Sequence, residues 1–184
     1  MYSFDLLIQN YFFQVRSPIL TDLIYILTSL FDASVYFFLL VLCLTILIYL
    51  VRNFYYALLF LTSLFFTAGA VYFFKAFFDI ARPLDGFVTA FDQSFPSYHA
   101  TSATVFFIML MYIFHSHFKS LGRIIFNTVC ISGIVLVAFS RVYLGVHWLS
   151  DVLFGIILGV LISYISIFIF KLVMFRQNNR LNMR

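Results

Sequence analysis

Seven side chains in three short stretches have the types and spacing for anion chemistry. Lys75 and Arg82 stand in KAFFDIARP, Lys75 to Pro83. Ser97 and His99 belong to PSYH, Pro96 to His99. Arg141, His147 and Asp151 lie in SRVYLGVHWLSD, Ser140 to Asp151. Lys75, Arg82 and Arg141 are three cations with Asp151 as the one clear acid among them, so the group suits an anion with several oxygens. Arginine offers a planar fork of donors that matches phosphate, and lysine a point charge. His147 and Asp151 are four residues apart, a spacing that places them on one helical face. A carboxylate beside an imidazole fixes its tautomer, the orienting arrangement of nucleophilic catalysis. His99 supplies a second imidazole able to exchange a proton near neutral pH.

Further details sharpen this picture. The seven-residue spacing of Lys75 and Arg82 is two helical turns, which predicts a shared face. Pro83 disfavours helix at Arg82, so the chain is expected to leave the helix there and turn the guanidinium inward. A span starting near Tyr98 would present free backbone N–H groups to an anion. Singly, each residue has a plain explanation: Lys75 snorkels to an interface, and His147 with Asp151 makes a helix-terminal hydrogen bond. Three segments converging at one membrane depth favour a joint site. His99, His147 and Asp151 are also possible zinc ligands, but three fixed cations oppose a divalent ion, so no metal or other cofactor is expected.

The elements that must position these residues are membrane spans. The chain has 184 residues, 64% hydrophobic, 22% aromatic and only 10% charged, with a mean hydropathy of +1.07. That composition predicts one integral-membrane, all-α domain, a polytopic bundle of five to six membrane helices. Five runs are long enough to cross a bilayer: 34–51, 54–77, 98–115, 123–140 and 149–172. Residues 1–32 read as an N-terminal interfacial helical region, 33–175 as the catalytic bundle and 176–184 as a cytoplasmic tail. Within the first of these, 18–31 is interrupted by Asp22 and reads as a short or re-entrant helix rather than a sixth span. The N-terminus has no basic region before its apolar residues and is not read as a cleavable signal peptide. Cys43 and Cys130 fall in apolar runs and read as packing residues.

Charge sets the expected orientation. Arg52, Lys119, Arg123, Lys171, Arg176, Arg180 and Arg184 fall on one side, and all seven aspartates on or near the other. The positive-inside rule makes the basic side cytoplasmic. The chemistry-bearing residues then face the cell exterior or periplasm from a cytoplasmic membrane, with the C-terminus inside. Membrane topology accounts for the net charge of +4, so nucleic acid is not an expected partner. His115 and His117 lie with Lys119 at the cytoplasmic edge, outside the candidate site.

The three motifs, in this order and spacing, resemble the type 2 phosphatidic acid phosphatase superfamily, with its K-x6-R-P, P-S-G-H and S-R-x5-H-x3-D signature. The resemblance covers roughly residues 70–160. It implies a helical membrane fold with an external active site that removes phosphate from a lipid without a metal. By that resemblance His147 is the nucleophile that becomes a phosphohistidine, Asp151 orients it and His99 protonates the departing oxygen. Lys75, Arg82 and Arg141 hold the phosphoryl oxygens, with help from Ser97. One position departs from the pattern: Tyr98 stands where the family has glycine. Its N–H remains available for phosphate, while its ring either faces lipid or lines the headgroup pocket.

The expected function is that of a membrane lipid phosphatase. Undecaprenyl diphosphate is placed first among substrates, because the short loop between the first two motifs suits a compact headgroup. Phosphatidylglycerol phosphate, phosphatidic acid and a lipid A phosphate are the alternatives. Vanadium-dependent haloperoxidases share the oxyanion pocket but are soluble. A non-enzymatic anion- or lipid-binding membrane protein would need the cations but not the His147–Asp151 pair.

Overall fold

The computed structural model describes residues 2–31, 35–84, 86–87 and 92–182. The expected boundary between 32 and 33, and Asp32, Asp85 and Arg184, lie outside the described residues. Every regular element among the described residues is helical: α1 (Tyr2–Val15), α2 (Pro18–Thr28) with a 3₁₀ turn (Ser29–Phe31), α3 (Val35–Val51), α4 (Phe54–Phe78), α5 (Tyr98–Phe114), α6 (Ser120–Tyr143) and α7 (Leu149–Asn182).

Local chemistry sets the helix ends. Pro18 opens α2, at a position where its missing N–H costs no helical bond. Asn53 caps α4, its side-chain oxygen accepting from the N–H groups of Tyr55 at 3.0 Å and Tyr56 at 3.2 Å. At the other end of α4, Asp79 turns left-handed (φ 45°, ψ 45°) and its N–H returns to the Lys75 carbonyl at 3.1 Å, a common way to stop a helix. The helix therefore ends four residues before Arg82. The shared helical face expected for Lys75 and Arg82 does not form, and the two cations meet by a different route.

The bundle is built around α5, which packs against α4, α6 and α7. Its first turns are small and buried: Ala100, Thr101, Ser102, Ala103 and Thr104. They face Gly155 and Gly159 of α7. A Cβ at Gly159 would fall 2.7 Å from Thr104 Cβ and 2.9 Å from the Thr101 carbonyl, so only glycine lets the backbones approach this closely. Small residues four apart do this work in lipid, where apolar burial alone gives helices no reason to associate. The consequence is functional: the start of α5, with His99, is held against the start of α7, with Asp151. Ser97 N donates to the Asp151 carbonyl at 3.2 Å. Deeper in the bundle Ile48, Phe60, Phe106, Met109 and Ile113 are fully or almost fully buried. Large apolar side chains such as Phe65, Phe66 and Ile19 point outward, as a lipid-facing surface requires.

Three helices, Phe54–Phe78, Ser120–Tyr143 and Leu149–Asn179, are each long and apolar enough to cross a membrane. Pro18–Phe31 and Val35–Val51 pass that test together, their axes bent by 53°. Contacts trace their course. Thr21 lies beside Tyr143 and Thr28 beside Arg141, Phe31 packs edge-on against Phe106 in mid-α5 at 5.6 Å, and Arg52 reaches Ser116 at the far end. The short helix expected over 18–31 is present as α2, set at an angle to α3 in the span expected over 34–51. A 17-residue α3 rises about 26 Å, short of a hydrocarbon core of roughly 30 Å. At 17 residues, α5 is equally short and is enclosed by its neighbours.

Candidate active site

Six of the eight residues singled out in the sequence line one cavity of about 460 Å³: Lys75, Arg82, Tyr98, His99, Arg141 and His147. Tyr25, Ala68, Val71, Tyr72, Leu144 and Val146 form its apolar wall. The other two stand behind the lining. Asp151 is buried next to His147. Ser97 is fully buried and caps α5, its hydroxyl accepting from Ala100 N at 3.5 Å, behind the residues that line the cavity.

His147 precedes α7 and sits in the turn after α6, so the pair with Asp151 does not arise from a shared helical face. The turn is folded back by Val146 N and His147 N, which both donate to the Arg141 carbonyl at 3.2 and 3.3 Å. Asp151 in the first turn of α7 accepts from Trp148 N at 2.9 Å, which brings its Oδ2 to 3.5 Å from His147 Nδ1. Ser94 fills the corner, donating to Asp151 Oδ2 at 2.5 Å and lying 3.4 Å from Nδ1. The other ring nitrogen, Nε2, is 3.1 Å from Arg82 Nη1. A guanidinium has no acceptor, so this approach requires a lone pair on Nε2 and the proton on Nδ1. Burial holds the imidazole well below its usual pKa, and the Arg82 charge adds to the effect. Both effects favour the neutral imidazole, with its Nε2 lone pair facing Arg82 at the edge of the cavity.

The cations are joined by a residue the sequence reading did not select. Asp92 receives Lys75 Nζ on Oδ2 at 2.6 Å and Arg82 Nη2 on Oδ1 at 2.8 Å. The adjoining backbone shares the load: Arg82 Nε donates to the Asp92 carbonyl at 2.9 Å, and Lys75 Nζ to the Gln93 carbonyl. Burial alone would raise the Asp92 pKa, but the Lys75 hydrogen bond and the two positive charges outweigh it and hold it below the usual value. Arg141, in the last turn of α6, donates to Ser140 Oγ at 2.9 Å and to Thr28 Oγ1 of α2. The N-terminal segment thus supplies both Thr28 and the Tyr25 wall.

That segment also clamps the turn that carries His147. Asp5 of α1 accepts from Ser150 N at 3.0 Å and Ser150 Oγ at 2.8 Å. Arg16 Nε donates to the Tyr143 carbonyl at 2.9 Å. Between them Gly145 takes φ +68°, and a Cβ there would collide with Arg16 and Gln9. Tyr98 opens α5 without positive φ, since Asp79 is the non-glycine residue with that geometry among those described. Its ring borders the cavity, edge-on to His99 with centroids 6.2 Å apart.

Asp92, Ser94 and Thr28 left little trace in the sequence. The first two fall in a loop with no helical period to orient them, and Thr28 looks like one polar residue in an apolar run.

A polytopic helical bundle with two histidines and three cations around one cavity defines a membrane protein with a strongly basic pocket. The chain belongs to the PAP2 superfamily, whose family model matches residues 54–175. It is 39% identical over 74 residues, 39% of its own length and 36% of the relative's, to phosphatidylglycerophosphatase B of Bacillus subtilis. Over 76 residues it is 38% identical to an undecaprenyl-diphosphatase of Sulfolobus acidocaldarius, covering 41% of this chain and 33% of that one. These matches span about a third of each curated relative. Its fold resembles the crystal structure of a transmembrane PAP2-type phosphatidylglycerolphosphate phosphatase from Bacillus subtilis, with a TM-score of 0.83 and 28% identity, over 90% of this chain and 83% of that one. Aquifex aeolicus LpxE shares the fold at a TM-score of 0.70 and 23% identity, over 90% and 93% of the two chains.

Proposed function

We propose that this protein is a metal-independent lipid phosphatase working through a phosphohistidine at His147. The observation that carries the reading is the placement of His147, its Nε2 3.1 Å from Arg82 at a cavity also lined by Lys75, His99 and Arg141. In the first step Nε2 attacks phosphorus, the bond from phosphorus to the lipid-side oxygen breaks, and protonated His99 gives its proton to that oxygen. In the second, neutral His99 takes a proton from water. The water oxygen then bonds to phosphorus, the P–N bond breaks, and free phosphate and neutral His147 result. Asp151 and Ser94 hold the Nδ1 proton while positive charge develops on the ring. Lys75, Arg82 and Arg141 stabilise the equatorial oxygens, the main task in phosphoryl transfer.

The wall of Tyr25, Ala68, Val71 and Tyr72 suits the lipid part of a substrate. The leading substrate is phosphatidylglycerol phosphate, supported by the resemblance to a solved phosphatase of that name over most of its length. Undecaprenyl diphosphate, placed first from the sequence, is the alternative, supported by the shorter archaeal match. The site faces the cell exterior or periplasm, supported by the charge asymmetry of the loops. Purified protein in detergent, with chelator present, should release phosphate from a lipid phosphate panel, fastest from phosphatidylglycerol phosphate. Absence of release from every member would refute the phosphatase reading; a faster rate on undecaprenyl diphosphate would replace the substrate.

A further inference from the structure

We infer that Asp92 is an internal competitor for the substrate: its carboxylate occupies the phosphoryl seat between Lys75 and Arg82 in the resting state, and any anion that binds there must displace it. The inference rests on the phosphate-binding reading of the site. Each carboxylate oxygen takes one cation, at 2.6 and 2.8 Å, and these are the donors an incoming phosphoryl group needs. The seat is built into the protein while its occupant is not. The Lys75 and Arg82 side chains are 10% and 15% exposed, and that of Asp92 is 56% exposed. The carboxylate can therefore swing outward without uncovering the core. The backbone carbonyls of Asp92 and Gln93 keep one bond to each cation. Their loop is pinned independently: Ser94 N donates to the Ile80 carbonyl at 2.7 Å, and the Gln93 side-chain amide to Asp79 at 3.1 Å.

A bilayer makes such a device useful. A buried pair of cations opening beside lipid headgroups meets bulk phosphodiesters, each carrying one negative charge, far more often than any scarce phosphate monoester. A phosphodiester that displaces Asp92 trades one monoanion for another and gains little. A phosphate monoester or diphosphate brings close to two charges near neutral pH and a further oxygen for Arg141, so it displaces the carboxylate at a profit in charge pairing. Asp92 thus lowers the affinity of the seat for every anion and leaves it free of weakly bound phosphodiesters, independent of the chemical step.

The test compares the parent with Asp92→Asn, Asp92→Ala and Asp92→Glu in detergent. Binding of dihexanoyl phosphatidylglycerol, a monoanionic phosphodiester, and of inorganic phosphate is measured by calorimetry, and inhibition by each is measured during turnover. In Asp92→Asn and Asp92→Ala the phosphodiester and inorganic phosphate should both bind at least 10-fold more tightly, because displacing the carboxylate costs each of them the same. Asp92→Glu should restore the parent affinities. Unchanged or weaker binding of both ligands in both neutral variants would overturn the inference, including the case in which kcat and thermal stability fall, since that outcome marks a purely structural role. Failure of the phosphatase reading looks different: the parent would turn over no lipid phosphate, while the calorimetric affinities still report on Asp92.

Discussion

Arg82 and His147, 65 positions apart in the chain, meet at 3.1 Å through Nη1 and Nε2. The contact makes the proposed nucleophile and a proposed phosphate ligand one unit. A cation beside the imidazole disfavours protonation, as does its burial. The ring therefore stays neutral to pH values below the ordinary imidazole pKa of about 6.5, and activity is lost only as pH falls through the lowered value. The acid limb of kcat/KM, which reports the free enzyme, should lie below pH 6.5. Arg82→Gln should lower kcat/KM and move that limb upward. A limb that stays in place would show that Arg82 does not tune His147. His147→Ala should abolish turnover and the acid-labile phosphoenzyme together.

Ser94 is a positioning residue: it donates to Asp151 rather than to substrate. Ser94→Ala removes one hydrogen bond to a carboxylate, typically worth about 1.5–3 kcal/mol, so kcat should fall by about 12- to 160-fold with KM nearly unchanged. A rise in KM at constant kcat would place Ser94 in substrate binding instead.

Gly159 and Gly69 make a matched pair of helix glycines. A Cβ at Gly159 meets Thr104 and the Thr101 carbonyl, whereas one at Gly69 meets nothing within 4 Å. Gly159→Ala should lower thermal stability in detergent, by about 1–3 kcal/mol of overpacking. Gly69→Ala should be neutral or stabilising, since glycine costs a helix roughly 0.5–1 kcal/mol relative to alanine. Equal effects at the two positions would refute the close crossing of α5 and α7.

Sidedness can be read by labelling. Leu84 is fully exposed beside the site, and Asn179 lies near the other end of α7. In a background lacking Cys43 and Cys130, Leu84→Cys should react with an impermeant thiol reagent on intact cells, and Asn179→Cys should not. The opposite pattern would invert the topology.

Tyr98→Gly restores the family residue and enlarges the cavity next to His99. Losing one pocket contact shifts selectivity by about 1–3 kcal/mol, or 10- to 200-fold, so the substrate panel should change its order by kcat/KM. An unchanged order, with the enzyme still active, would show that the ring makes no selective contact.

The class of molecule and most of its chemistry were legible in the amino-acid order. Long apolar runs have one stable solution in lipid, the helix, so α4, α6 and α7 could be read from composition alone. Lys75, Arg82, His99, Arg141 and His147 stood out because ionisable groups beside such runs are costly and must have a use. What remained hidden depended on how segments far apart in the chain meet. Sequence spacing put Lys75 and Arg82 on one helix face, but the left-handed Asp79 ended α4 early and Asp92 joined them across a loop. It put His147 inside α7, whereas the turn before that helix carries it. It gave no sign that the Ser97 hydroxyl caps α5 or that Ser94 reaches Asp151. The contribution of the first 31 residues, Tyr25 and Thr28 at the cavity and Asp5 on Ser150, was equally invisible. Helical periodicity reports which side chains share a face within one element. The choice among several polar partners is made by the close approach of separate helices, here allowed by Gly155 and Gly159, and that is a property of the packed bundle.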